Sequence, residues 1–159
     1  MAKHYVDNRR LLAEIIRYKA ARVECPQGTL PPIPSYVGEA LLAIAKRISL
    51  MPNFRGYSYR DEMINDAVVN SLRYLNSFNP NKTNNPFAYF TRVIYNAFLR
   101  RIETEHMETY TRDVTYDLNY LGGSSGSSGN YRRTQEEDAM RLERMARFEQ
   151  AKNRKKKKK

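Results

Sequence analysis

Residues 55–102, RGYSYRDEMINDAVVNSLRYLNSFNPNKTNNPFAYFTRVIYNAFLRRI, contain two amphipathic patterns joined by a polar loop. From about Tyr59 to Phe78 the apolar residues recur every three or four positions, as in a helix that buries one side. The loop at 79–86 holds two prolines and four asparagines, so it cannot continue that helix. Pro86 suits the first turn of a following helix, which the pattern predicts from Phe87 to about Glu105. The segment therefore predicts two consecutive helices.

Two more helices are predicted on the N-terminal side of this segment. Residues 1–24 form an N-terminal helical segment, with Asp7 or Asn8 as the residue that caps it. Residues 25–34 form a proline-rich linker, in which the prolines and a glycine stop the helix. Ser35 is the expected cap of the next helix, whose apolar residues leave little room for a polar side. We expect this helix to be the central one of a bundle over residues 35–106.

The C-terminal part, residues 107–159, has a less regular apolar pattern than the segments before it. Residues 107–130 are interpreted as an irregular segment that ends in the flexible tether GGSSGSSG. Residues 131–159 predict an amphipathic helix, opened by a capping box of Thr134 and Glu137 and closed by a lysine-rich tail. Its narrow apolar seam consists of Ala139, Leu142, Met145 and Ala146. The predicted fold class is all-α, with a bundle of about four helices plus these appendages.

Charge and composition limit the classes of function. The net charge is +11, and residues 131–159 contribute +7 of it, with 12 Lys/Arg against 5 Asp/Glu. Such a tail attracts any polyanion without reading its sequence. One cysteine and two histidines argue against a disulfide or a zinc site and favour a reducing cytoplasm. No run of apolar residues is long enough for a membrane span. Because nucleotide-binding, metalloprotease and hydrolase motifs are also missing, we expect no enzyme, no metal, no cofactor and no small-molecule substrate.

The predicted fourth helix leaves a basic and aromatic side uncovered by its apolar stripe. Arginines can bind phosphates or guanine edges, asparagine can bind adenine, and a tyrosine ring can stack on an unpaired base. An ordinary exposed helix side is the alternative, although such a side usually mixes charges of both signs. Spacing places Tyr89, Arg92, Asn96, Leu99, Arg100 and Glu103 on this side, with Tyr95 beside them. Tyr89, Arg92, Tyr95, Asn96 and Arg100 include no acid.

The third helix leaves an acidic side, with Glu62, Asn65 and Asp66. Acidic side chains repel DNA, so this side is suited to a protein surface or to solvent. The residues alone leave both readings open.

The stretch EMINDAVVNSLRYLNSF, followed by the aromatic and basic helix, resembles region two of bacterial sigma factors over residues 36–103. The segments YVDNRRLLAEIIRYK, YSYRDEMINDAVVNSLRYLNSF and KTNNPFAYFTRVIYNAFLRRI are similar to the late-transcription sigma factors of T-even-type bacteriophages. That resemblance implies a sigma region two-like bundle and binding to the host RNA polymerase core. It also implies recognition and opening of an AT-rich promoter element around ten bases upstream of viral late start sites.

The resemblance assigns roles position by position. The positions that would dock on the β′ clamp coiled coil are Glu62, Asn65, Asp66, Val69 and Leu72, of which Leu72 has a core position as its alternative. The positions that would open the promoter and hold single-stranded DNA are Phe87, Tyr89, Phe90, Arg92 and Val93. The positions that would contact duplex or phosphate are Tyr95, Asn96, Leu99, Arg100 and Arg101.

Two departures from the family pattern bear on these roles. Primary sigma factors carry two adjacent tryptophans where this chain has Arg92 and Val93, which predicts weaker melting or dependence on co-activators and easily opened DNA. The chain also ends in a helix and five lysines instead of a short acidic segment that binds the polymerase β flap. We therefore assign the flap contact to no residue.

Two hypotheses of different class follow. The first is a viral late sigma factor in the cytoplasm of the infected bacterium, with polymerase core and promoter DNA as partners. A β flap contact, a phage co-activator and a sliding clamp would be further partners of such a factor. The second is a basic accessory or structural phage protein that binds nucleic acid without contacting the polymerase. The acidic side of the third helix separates them, since a simple polyanion binder has no use for it.

Overall fold

The computed structural model describes residues 5–25, 30–121 and 135–156, and within these ranges all regular secondary structure is helical. The helices are α1 Asn8–Glu24, α2 Ser35–Ser49, α3 Arg60–Tyr74, α4 Pro86–Leu121 and α5 Gln135–Lys156. The predicted all-α class is confirmed. The chain divides into two compact units, residues 1–101 and residues 102–159, and α4 runs through the boundary.

Helix α2 lies at the centre of the first unit and packs against both α1 and α3. Helix α1 begins as expected, because the Asp7 carboxylate accepts hydrogen bonds from the amides of Arg9 and Arg10, at 2.9 and 3.2 Å. The expectation that Ser35 caps α2 is wrong. The helix already includes Ser35, and the capping position is Pro34, which offers no side-chain acceptor.

Four phenylalanines form the aromatic core of the first unit. Phe54, Phe78, Phe90 and Phe98 are all essentially inaccessible to solvent. The Phe54 and Phe98 rings meet edge to face, with their centroids 5.1 Å apart. Burying one such side chain contributes roughly 1.5–3 kcal/mol, and a good ring pair adds about 0.5–1.5 kcal/mol. This cluster joins the inner side of α4 to the segments that follow α2 and α3.

The sequence pattern predicts that α3 ends at Phe78. In the structure the helix ends four residues earlier, at Tyr74. The amides of Ser77 and Phe78 both donate to the carbonyl of Tyr74, so the chain turns here while the Phe78 ring still enters the core. The Lys19 ammonium donates to the carbonyl oxygens of Asn76, at 3.0 Å, and Phe78. A cation from α1 thereby binds two backbone carbonyls of the turn that follows α3.

Helix α4 is much longer than the sequence pattern predicts. The expected end near Glu105 and the irregular segment from residue 107 are wrong, since the helix continues to Leu121. No glycine or proline interrupts residues 87–121, and the Thr, Tyr and Val residues that suggest an irregular texture lower helix propensity by less than about 1 kcal/mol each. The tether at 122–130 lies outside the described residues, as do residues 26–29 of the linker, Thr134 and residues 157–159.

The second unit is held largely by polar contacts between α5 and the C-terminal part of α4. The Arg144 guanidinium lies 3.3 Å from the buried Asp113 carboxylate, and Arg141 donates to the Asp113 carbonyl. The Tyr110 and Phe148 rings stack at 4.8 Å. The predicted seam of α5 is displaced, because Leu142 is exposed while Arg141 is buried. The seam was predicted from apolar residues alone. The buried Asp113 carboxylate instead attracts arginines, so a charged residue of α5 lies on the inner side.

The neighbours Phe98 and Leu99 test the rotation of α4. Phe98 is fully buried, whereas Leu99 is 46% exposed. We expect Phe98→Ala to lower the free energy of unfolding by about 3–5 kcal/mol, since it removes core packing. Leu99→Ala, the matched control, should change it by no more than about 0.5 kcal/mol. Urea denaturation followed by far-ultraviolet circular dichroism measures both, and equal losses would mean that the helix is rotated.

Candidate nucleic-acid interface and protein-docking face

The inner residues of α4 fix which residues point outward. Phe90, Ile94, Ala97 and Phe98 are buried at the spacing of one helix side. The opposite side is exposed and includes Arg92, Asn96, Leu99 and Arg100, and the exposed Glu103 follows on the same side. Four of the positions predicted to contact DNA therefore reach solvent together, and we call them the α4 outer face.

Two tyrosines border the α4 outer face without belonging fully to the core. The Tyr89 ring packs edge to face on Phe90 and Phe78, at 5.1 and 5.2 Å, and Tyr95 packs in the same way on Phe54, at 5.2 Å. Partial burial, and secondarily the neighbouring Tyr74, raises the pKa of Tyr89 above its usual range. Its hydroxyl therefore stays protonated at neutral pH, and both rings are held in place by aromatic contacts.

An open groove of about 570 Å³ lies beside the Tyr95 ring. It is lined by Asn85, Phe87, Ala88, Thr91, Arg92 and Tyr95. A planar base fits such a lining, because it combines aromatic rings with an arginine. Phe87, Arg92 and Tyr95 are predicted site residues. Asn85 and Thr91 were not singled out as site residues, although an asparagine just before Pro86 is a recognisable helix-capping signal.

The backbone amides at the start of α4 are already engaged. The Phe87 amide donates to the Asn8 side chain at 3.0 Å, and the Ala88 amide donates to the Asn85 side chain at 3.0 Å. Helix N-termini bind phosphates through such amides when these are available. Any anion binding at the α4 outer face therefore depends on the arginine side chains.

Two of the predicted DNA-contacting residues lie elsewhere. Spacing places Phe90 in the buried stripe of α4, whereas the resemblance places it among the residues that hold single-stranded DNA. Its ring is fully buried against Phe78 and Tyr89, so the first prediction is confirmed and the second is wrong. Arg101 turns toward α3, where its guanidinium lies 3.0 Å from the Asp66 carboxylate. Val93 is only half-buried. Phe90 supports the tyrosines, and a phosphate would have to compete with Asp66 for Arg101.

The outward side of α3 has the opposite chemistry. Its exposed residues include Glu62, Asn65, Asp66 and Val69, which we call the α3 outer face. Leu72 is half-buried, so its exposure lies between that of a clamp-contacting residue and that of a core residue, the two alternatives predicted for it. Acids in a first turn stabilise a helix start, which accounts for Glu62 locally. Asp66 lies beyond that turn and Val69 is 50% exposed, so helix stability does not explain them.

Metal sites and membrane-spanning helices are the next features to consider. Among the described residues no group of three or more His, Cys, Asp or Glu side chains could hold a metal ion. None of the helices in the described ranges has the length and apolarity that crossing a bilayer requires.

No protein-family model matches the chain, and no curated protein matches it either.

The Asp66–Arg101 pair is expected to contribute little stability. Its side chains are 52% and 28% exposed, so water screens their attraction. In a double-mutant cycle with Asp66→Ala and Arg101→Ala, we expect a coupling energy of about 1 kcal/mol or less that shrinks in high salt. Urea denaturation of the four proteins measures it. A coupling above about 2 kcal/mol, unchanged by salt, would contradict the exposed position of the pair.

Proposed function

We propose that the chain is a sigma-like transcription initiation factor, of the kind that bacteriophages use for late genes. It binds the host RNA polymerase core through the α3 outer face and promoter DNA through the α4 outer face. The observation that carries this proposal is that one compact unit directs two faces of opposite chemistry to solvent on consecutive helices. The resemblance of residues 36–103 to sigma region two supports the assignment of each face.

The α3 outer face suits a protein partner better than it suits DNA. Asp66 and Glu62 would repel phosphates, whereas Val69 gives an apolar centre between polar neighbours. Protein interfaces commonly combine an apolar centre with a polar rim. The proposed partner is the β′ clamp coiled coil of the polymerase.

The α4 outer face suits promoter DNA. Arg92 and Arg100 can neutralise phosphates, and Asn96 can bond an adenine edge or the backbone. The adjoining groove gives Tyr95 and Phe87 as ring contacts for a base that has left the duplex. Because Arg92 replaces an aromatic wedge, opening depends on AT-rich DNA or on co-activators.

On this proposal the protein acts in the cytoplasm of the infected bacterium. A phage co-activator, a sliding clamp and the β flap are further partners of the same reaction, and no described residue is assigned to them. The competing function is a basic accessory protein, which the cationic end of α5 favours. Lys152, Arg154, Lys155 and Lys156 all lie in its last turns.

Polymerase binding separates the two functions. Asn65→Arg places a cation in the α3 outer face without removing the Asp66–Arg101 pair, so we expect at least about a tenfold loss of affinity for core polymerase. Glu136→Arg, at another exposed site, on α5, is the control and should bind as the wild type does. Fluorescence anisotropy in high salt, where nonspecific phosphate attraction fades, is the measurement. Absence of wild-type binding to a nucleic-acid-free polymerase would reject the sigma-like function.

Promoter contacts are tested on the same complex. The double variant Asn96→Ala and Arg100→Ala should bind promoter fork DNA at least about thirtyfold more weakly in the presence of polymerase, since each of the two lost contacts costs roughly 1–3 kcal/mol. Polymerase binding should stay within about twofold of the wild type. Arg112→Ala, an exposed arginine farther along α4, is the control. If the control weakens promoter binding equally, the α4 outer face has no special role.

A further inference from the structure

Helix α1 is apolar on two opposite sides. Its inner side buries Leu11, Ile15 and Tyr18. Its outer side carries a second stripe at alternating steps of three and four residues: Ala13, Ile16, Ala20 and Val23, all exposed. Ile16 is 46% exposed and Val23 is 87% exposed. This is the spacing of a helix–helix seam, and here it faces solvent.

The rotation of α1 is fixed by contacts along its length. At its start, the Asn8 side chain accepts a hydrogen bond from the Phe87 amide. Farther along, Lys19 binds the carbonyl oxygens of Asn76 and Phe78. Between them, Leu11 and Ile15 are fully buried. The outer stripe cannot turn into the core of the first unit without breaking these contacts, so it stays outside that core.

The charges beside the stripe indicate what would cover it. Exposed Arg9 extends the stripe toward the N-terminus, while exposed Arg10 and Arg17 run along one flank that ends in Glu24. Helix α1 as a whole has five basic residues against two acidic ones. Arg10 already lies 4.1 Å from the centre of the Tyr36 ring, which holds its guanidinium beside the helix. A partner helix would therefore meet an apolar seam with a cationic border.

We propose that the outer face of α1 docks an acidic amphipathic helix of another protein. The alanines let a second helix approach to the roughly 8–10 Å of packed helices, and Ile16 and Val23 supply the apolar contact. Glutamates or aspartates on that helix would pair with Arg10 and Arg17. The surface is separate from the α3 and α4 outer faces, so this interaction does not depend on the proposed function.

Other occupants fit less well. A second copy of the chain paired antiparallel about Arg17 would bring Arg17 against Arg17 but Arg10 against Glu24, and a parallel pair would bring Lys19 toward Glu24. These pairs partly cancel, and because α1 has five basic residues against two acidic ones, a net charge of +3, two copies attract each other less than α1 and an acidic helix do. Nucleic acid would satisfy the arginines but would leave Ile16 and Val23 uncovered.

The test uses the full chain and a fluorescein-labelled helical peptide with leucine and alanine at its seam positions and glutamate on its flanks. Fluorescence anisotropy should show binding that weakens about tenfold or more in Ile16→Glu, because an apolar contact becomes a repelled charge. Met140→Glu changes an exposed apolar residue on α5 and should bind as the wild type does. Ile16→Ala, which cannot introduce repulsion, should weaken binding less, and circular dichroism confirms that each variant is folded.

Two further peptides separate apolar docking from charge alone. A scrambled peptide of the same composition has no seam, and a peptide with lysine in place of glutamate has the wrong charge, so neither should bind comparably. Equal binding of the scrambled and ordered peptides would overturn the proposal in favour of simple charge attraction.

Self-association tests the second-copy occupant. If the wild-type chain forms dimers in sedimentation equilibrium that Ile16→Glu abolishes, the occupant is a second copy and the proposal is wrong. A loss of duplex DNA binding in Ile16→Glu without any loss of peptide binding would likewise assign the face to nucleic acid. Failure of polymerase binding, by contrast, leaves every one of these results unchanged.

Discussion

The burial of the inner side of α4 against Phe54 and Phe78 is the contact on which the rest of the first unit depends. Phe90 and Phe98 have no access to solvent, and they lie eight residues apart on one side of the helix. Once these two rings are buried, the helix has one possible rotation. Arg92, Asn96 and Arg100 then face outward because of the same packing, and the tyrosines beside them rest on the phenylalanine cluster.

The opposite chemistry of the two outer faces has a structural consequence at their border. The Asp66 carboxylate and the Arg101 guanidinium lie 3.0 Å apart, so one charge of α3 and one of α4 pair with each other. What remains outward is mainly acidic and amide-bearing on α3 and cationic on α4. A surface divided in this way can hold a protein and a polyanion at once, which a uniformly basic surface cannot do without attracting phosphate over its whole area.

Periodicity predicted the features that depend on local spacing: the all-α class, the buried stripe of α4 and the outward positions of Asn65 and Asn96. Features that depend on distant partners were not predictable in this way. Spacing places Phe90 in the buried stripe and Tyr89 on the free side, and only the contacts of the Tyr89 ring with Phe78 and Phe90 show that it is half-buried. Likewise, the length of α4 and the burial of Arg141 reflect the contacts between α4 and α5 around Asp113, which spacing does not reveal.

The central claim is that one face contacts polymerase while the other contacts DNA, and site-specific photo-crosslinking tests it most directly. A benzophenone amino acid at Asn65 or at Asn96, both exposed, reports what lies within a few ångströms of each face in the polymerase–promoter complex. The account predicts that the probe at Asn65 crosslinks the β′ subunit and that the probe at Asn96 crosslinks promoter DNA. Crosslinking of both positions to DNA alone would contradict it.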